Sequence, residues 1–519
     1  MSKLRFLFLA AVSAAAGVAL HASTYNVRDF GATGDGTTKD TKAFQKALDT
    51  CAVNGGGDVL VPAGKYLIGS IQIGNRTILR LEKDTILAGT PDLADYPLID
   101  IRWEGRWQPG HRGLIYASAS DHIGIVGPGR IEGSTGPVPP APEGTIPPSA
   151  APAVASAGDA AAAPARGPGG FGRGGRGGWG TNGPDGTRNP VVLEPISCDD
   201  VRWEGFTVTQ GGNWATHPTY CTNVTIRNLD ISGGRDGIDV DSCKGVIIDG
   251  CTIKNGDDCI SLKSGRGMDG ARLSRPCEDI LITNCTLEGI RFACVGIGSE
   301  TSGGVRNVRI EHCKMKSYTH TIYVKTRIGR AGVNENISGD DLDILGGDFL
   351  RINLVKGGNN STADDPVEGL AGYPEARNFN FSNIRMNGGK ALVVGTEVSA
   401  KRPLHGLTLT NVTGTHSGIT LANMTDVVLK NVVPGVAPAT PPAATAAGQP
   451  APGPVFGIVN VTGTGLEGAV AIPAPVDPPP GNAPGGFRGG PRGGRGGPPG
   501  APGGAPATAP APAPKTPGE

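Results

Sequence analysis

One short strand form recurs along this chain, and its spacing restricts the fold more than any other feature. NVTIRNLDI from Asn223, GVIIDGCTI from Gly245, DILITNCTL from Asp279 and NVRIEHCKM from Asn307 share it. DVRWEGFTV from Asp200 precedes them, and weaker copies begin at Asn378, Gly406 and Asp426. The anchors Val224, Val246, Ile280 and Val308 are separated by 22, 34 and 28 positions. A base period in the low twenties, lengthened in places by loops, is that of a right-handed parallel β-helix, an all-β solenoid. The copies are β-branched and alternate in and out, which excludes a helical repeat. A doubly wound α/β fold would need a helical pattern after each strand, and none is present.

Residues 23–70 read as the entrance to the solenoid. TYNVRDFGATGDG is a strand followed by Gly-rich turns, and GGGDVLVPAGKYLI returns to strand. Between them, Ala43, Phe44, Ala47, Leu48 and Cys51 fall on one helical face. A short N-terminal capping helix there would cover the open edge of the first coil.

Ten cysteines in an exported chain would ordinarily suggest disulfides. Here Cys251, Cys285 and Cys313 each sit five residues after an anchor. Equivalent positions stack from coil to coil, so these three are expected to form a ladder of buried thiols. Cys221, Cys243, Cys259, Cys277 and Cys294 leave a bridge open.

The expected organisation follows from composition. Lys3 and Arg5 before the apolar run Phe6 to Leu20 mark residues 1–22 as a signal peptide, which implies a secreted or periplasmic protein. Residues 23–135 form the N-terminal part of the β-helix and residues 189–433 the catalytic coils. Residues 136–188 are a Pro/Ala then Gly/Arg-rich insert, and residues 434–519 a similar tail with one candidate strand at 455–461. Both lack the apolar content to bury a core and are expected to be disordered. Their RGG runs can bind RNA, but in an exported chain they read as flexible segments. Lys+Arg and Asp+Glu balance at 47 each, so no global field draws the protein to nucleic acid or membrane. A monomer is expected.

The acidic cluster is GGRDGIDVDSC from Gly233 followed by NGDDCISLKSG from Asn255. Asp236 and Asp258 are 22 residues apart, the base period, and Asp257 adjoins the second. Neighbouring strands lie roughly 4.8 Å apart, so three carboxylates are drawn together and at least one should hold its proton to higher pH. Glycoside hydrolysis needs that pairing: a protonated acid for the leaving oxygen and an ionised partner for water. The same residues would also suit Asp-rich turns or a calcium site, and Asp239 and Asp241 alternate with Val240 as on a solvated strand face.

The run from Asn189 to about Thr413 resembles glycoside hydrolase family 28, the polygalacturonases and rhamnogalacturonan hydrolases. NWATHPTYCTNVTIRNLDI, DGIDVDSC, GDDCISLKSG and GIGSETSGGVRNV carry the likeness. Residues 24–70 are similar to the opening of the wider pectin-active β-helix group. The resemblance implies inverting hydrolysis of a pectic polysaccharide or oligogalacturonide, with Asp257 as general acid, Asp236 and Asp258 activating water, and no cofactor or metal. Three positions depart from the polygalacturonase pattern: Gly234-Arg235 replace Asn-Thr, Phe292 replaces a His, and Tyr323 replaces the Arg two residues before Lys325. A Cys near Cys294 and a Tyr before the retained Lys resemble rhamnogalacturonan hydrolases instead. A weaker uronate grip, and rhamnogalacturonan or an unusual galacturonide as substrate, are the corresponding expectations.

Further substrate-binding candidates are Lys325 with Arg327 and Arg330 as a cationic patch, Tyr323, and Trp214 stacking on a sugar ring beside His217. Lys263 and Glu300 are placed to pair with charged neighbours, and His320 is a stand-in for the replaced His. Two other readings compete with hydrolysis: a β-eliminating pectin lyase on the same architecture, and a noncatalytic pectin-binding solenoid.

Overall fold

The computed structural model describes residues 23–134, 186–210, 213–358, 365–433, 435 and 455–478. The expected leader 1–22, nearly all of the insert 136–188 and most of the tail 434–519 lie outside the described residues.

The described chain is a parallel β-helix. Almost every strand pairs in parallel with the strand one coil before it and the strand one coil after it. The anchors stack in register: Val201 pairs Val224, which pairs Val246, then Ile280, Val308, Ile337, Phe379 and Leu407. All of these are buried. The repeat read from sequence is thus the register itself, and the 34- and 28-residue steps are coils lengthened by loops. One such loop holds the helix Gly267–Leu273.

The first letter of each repeat copy has a backbone cause. Asp200, Asn223, Gly245, Asp279, Asn307, Asn378, Gly406 and Asp426 all have left-handed φ values, between 51 and 78°. Asn, Asp and Gly tolerate that region; β-branched residues do not. Several of these side chains then bond along the solenoid: Asn307 donates to Asp279 at 2.8 Å, Asn336 to Asn307 at 2.9 Å and Asn378 to Asn336 at 3.1 Å.

Each coil contributes to three faces. The third carries the chemistry; its strands include Leu193–Ile196, Ile238–Asp241, Ile260–Lys263 and Val295–Gly298, continued by Ile322 to Lys325. Inward residues from all faces form one continuous apolar core. The helix Thr41–Val53 caps the first coil, with Phe44, Ala47, Leu48 and Cys51 buried against it. At the other end, the strand Phe456–Thr464 pairs with Ile419–Lys430.

All ten cysteines are buried free thiols, so the bridge left open by sequence does not form. Cys251, Cys285 and Cys313 stack: their thiols point at the carbonyls of Ile226, Ile248 and Ile282, each one coil back.

One element breaks the pattern and was missed in sequence. Leu98–Trp103 and Arg106–His111 form an antiparallel hairpin, with Trp103 opposite Arg106 across a two-residue turn. Glu104 and Gly105 both take positive φ, the turn type that matches strand twist in tight hairpins. No helix among the described residues is long and apolar enough to cross a membrane.

Candidate functional site

Asp236 and Asp258 sit in turns that enter the third face. The pairs Gly233–Asn255 before them and Ile238–Ile260 after them fix an offset of 22. The two aspartates therefore occupy one column on adjacent coils, and the Gly237 N–H donates to the Asp258 carbonyl at 3.0 Å. The buried Gln210 holds this turn from the preceding coil. Its amide donates to the Arg235 and Asp236 carbonyls and accepts from the Arg235 N–H at 2.8 Å.

The carboxylates are held by specific partners. Asp258 Oδ2 accepts from Lys325 Nζ at 2.5 Å and from Ser261 Oγ at 3.0 Å; its Oδ1 accepts from the Ala293 N–H at 2.9 Å. Gly296 makes room for it: a Cβ there would lie 2.3 Å from Asp258 Oδ2. Asp236 Oδ2 faces Lys263 Nζ at 3.3 Å and Ser261 Oγ at 3.5 Å. Lys263 also pairs with Asp239. Asp257 is partly exposed at the mouth of the site, and its Oδ1 accepts from the Asp258 N–H at 3.1 Å.

Burial and the charges of Asp236 and Asp258 push the Asp257 carboxyl up to about 8. Burial alone would also raise Asp236, but Lys263, Arg235 and Lys325 together outweigh it and hold Asp236 below the usual carboxylate range. Burial and the adjacent Asp236 charge push Asp239 well above that range, against the pull of Lys263. Burial works against the Lys325 and Lys263 ammonium groups, yet their acidic neighbours keep both charged. A proton-bearing carboxyl thus adjoins an ionised one, an arrangement suited to general acid and general base work.

A supporting layer lies beneath. The Trp103 and Trp214 rings stack at 4.0 Å and 11°. Lys263 Nζ covers Trp214 at 3.9 Å from its ring centre. Arg102 Nε reaches Asp241 Oδ2 at 3.0 Å, both buried. His217 meets the Trp214 ring edge, and burial takes its imidazole down to about 3.

Several sequence expectations are corrected here. Asp239 and Asp241 are not a solvated face; both are 0% exposed. Trp214 has Trp103 and Lys263 against it and is 3% exposed, so no ring is left for a sugar, and His217 is equally interior. Arg327 and Arg330 do not join Lys325 in a patch. Arg327 turns inward to the Gly357 and Gly358 carbonyls, and Arg330 to the Ser299 carbonyl and Glu300. Lys325 and Tyr323 do face the site, with Lys325 Nζ 5.6 Å from the Tyr323 ring centre. His320 packs against Tyr323 and pairs with Asp348 at 3.1 Å. Arg351, one coil beyond Tyr323 in the same column, places a cation over that ring at 6.0 Å. Arg235, Gln210, Asp239, Gly296 and Arg351 were not singled out as site residues from sequence.

The site is thus a column of stacked aspartates beside a lysine on one face of a parallel β-helix. Residues 162–345 match the model of glycosyl hydrolases family 28. Residues 24–95 match that of rhamnogalacturonase A/epimerase, pectate lyase-like. A probable polygalacturonase of Vitis vinifera is 28% identical over 334 residues, 62% of this chain and 60% of the relative. An exo-poly-alpha-D-galacturonosidase of Dickeya chrysanthemi is 40% identical over 72 residues, 14% of this chain and 12% of the relative. The chain spans about 60% of the length of the first of these relatives. Among solved structures, a family 28 exopolygalacturonase from Yersinia enterocolitica superposes with a TM-score of 0.62 at 18% identity, covering 85% of this chain and 78% of its own. An exopolygalacturonase from Thermotoga maritima superposes with a TM-score of 0.57 at 24% identity, covering 80% and 94%.

Proposed function

We propose that this protein hydrolyses α-linked, galacturonic-acid-containing pectic polysaccharide with inversion, outside the cytoplasm. The observation that carries the reading is the opposite displacement of two neighbouring carboxyls: Asp257 up to about 8, Asp236 below its ordinary range. Asp257, at the mouth of the site, donates its proton to the glycosidic oxygen as the bond breaks. Asp236 and Asp258 orient a water and take its proton as it attacks the opposite face of the sugar. Lys325, with Tyr323 and Arg351 beside it, holds the uronate carboxylate; a cation one coil beyond Tyr323 stands in for the arginine absent from that position. Polygalacturonase relatives support the galacturonide substrate, and rhamnogalacturonan remains within the same chemistry.

The test is Asp257→Asn against wild type on polygalacturonan and rhamnogalacturonan. Loss of reducing-end release with an unchanged circular dichroism spectrum is expected, and the wild-type product should appear first as the inverted anomer by proton NMR. Full activity of the variant would refute the assignment. Products absorbing in the ultraviolet would indicate β-elimination, and saccharide binding without reducing ends a noncatalytic solenoid.

A further inference from the structure

The groove-facing surface of the third face is unequal on its two sides. One outward column runs Asp239, Ser261, Gly296, Tyr323, Arg351 and Val394, a residue per coil. Toward the C-terminus it opens: Tyr323, Arg351 and Val394 are all partly exposed. On the N-terminal side it is shut. Glu194 and His217 are 1% exposed, and Asp241, at the end of its strand, is 0% exposed.

The hairpin 98–111 does much of the covering. It leaves the chain ahead of the strand Ile115–Ser118, yet its tip lies beyond the strand Ile260–Lys263. Gly110 bridges to Arg188 at its base. Along its length Trp103 stacks on Trp214 and Arg102 pairs with Asp241. At the tip Glu104 reaches Arg266 at 3.3 Å, and a Cβ on Gly105 would lie 2.9 Å from Arg266 Cβ. The Arg102–Asp241 pair is buried on both sides, at 4% and 1% side-chain exposure. Pulling the hairpin away would break that buried pair and expose the stacked Trp103 and Trp214 rings to water, which makes it a fixed wall rather than a flap.

The wall acts by bulk rather than by charge: Glu104 at its tip is paired with Arg266, and on the open side Arg351 and Lys356 share Glu397. A chain lying along the open C-terminal side meets the packed hairpin at its other end.

We infer that the hairpin 98–111 is the end wall of the substrate groove, so that this protein engages a galacturonan by one chain end instead of binding along its interior. The inference rests on the galacturonide reading above and adds the mode of attack. Hydrolysis should then release short products stepwise from chain ends.

Two measurements on the full chain test it. First, wild type on long polygalacturonan is followed by viscosity and by reducing ends together. Reducing ends should accumulate while viscosity barely falls; an early collapse in viscosity overturns the inference. Second, Asp257→Asn is titrated with a short and a much longer galacturonan, and bound protein per chain is read by analytical ultracentrifugation. Chain-end binding predicts the same number per chain at both lengths. A number that rises in proportion to length overturns the wall while leaving the substrate reading intact. Absence of both turnover and binding on galacturonan overturns the substrate reading and the inference with it.

Discussion

Lys325 Nζ lies 2.5 Å from Asp258 Oδ2 although 67 residues separate them in the chain. The solenoid makes the contact: Gly298 pairs with Lys325, and the coil before carries Asp258. Because the Asp258 side chain is 2% exposed, removing its cation leaves a buried carboxylate without its charge partner. Lys325→Met is expected to destabilise the protein by about 3–5 kcal/mol, the usual cost of breaking a buried pair from one side. Adding Asp258→Asn should recover part of that loss without restoring activity. Denaturant unfolding of the two single variants and the double checks this, since coupled residues deviate from additivity.

Gly296→Ala should separate catalysis from folding. The added methyl would sit 2.3 Å from Asp258 Oδ2, inside contact distance, and must displace that carboxylate or its backbone. Overpacking of this kind costs about 1–3 kcal/mol, which a large solenoid core can absorb. The expected result is a folded protein with at least a hundredfold lower kcat, read by reducing-end assay beside a thermal melt.

Much of this arrangement was legible in sequence, for a definite reason. A β-helix converts a period into a column, so the 22-residue offset of Asp236 and Asp258 translated directly into adjacency, and the thiol column of Cys251, Cys285 and Cys313 did likewise. What escaped was set by long-range contact. Trp214 looked available for a sugar because nothing near it in sequence shows Trp103 arriving from an inserted hairpin 111 residues earlier. Asp241 looked solvated because its partner, Arg102, lies 139 residues away. The one local sign was Glu104-Gly105 between Trp103 and Arg106, a two-residue turn pattern. Arg327 and Arg330 were misplaced because the turn after Lys325 folds inward, where two guanidinium groups bond backbone carbonyls.

The thiols should be silent until the coils open. All ten are buried, and burial pushes Cys277 and Cys259 well above the ordinary thiol range. The reactive species is the thiolate, so reaction with a disulfide reagent requires unfolding. Titration with Ellman's reagent should show almost no reaction in native buffer and ten thiols in denaturant. The melting temperature should not change with reductant; a fall on adding it would reveal a bridge.

Asp257 should make the protein less stable as pH rises through neutrality. Its carboxyl keeps a proton to about 8 in the folded state, whereas in the unfolded chain it ionises near 3.8. Between those values the folded state binds more protons, so unfolding becomes easier as pH increases. Asp257→Asn removes that contribution. The variant should gain stability relative to wild type from pH 4 toward pH 8, with the gap vanishing near pH 4. Melts of both proteins across that range are the measurement.

Lys263 acts on the other limb of the pH profile. Its ammonium acts most strongly among the cations holding Asp236 ionised, and it is itself fixed between Asp236, Asp239 and the Trp214 face. Replacing it with methionine keeps the aliphatic stem but withdraws the charge, so burial and the neighbouring acids raise Asp236. A base with a raised pKa is protonated over a wider acid range, and the acid limb of kcat/KM moves to higher pH. With Asp257 as the proposed acid, the alkaline limb should move the same way, because Asp236 and Asp257 share one electrostatic neighbourhood and a cation has been lost. Trp214→Leu gives the control: Lys263 keeps its charge but loses the ring that positions it. A shift in the acid limb smaller than that of Lys263→Met is then expected, alongside a clear loss of stability. If Lys263→Met left the acid limb where it was, Asp236 would not be the group that the lysine holds ionised.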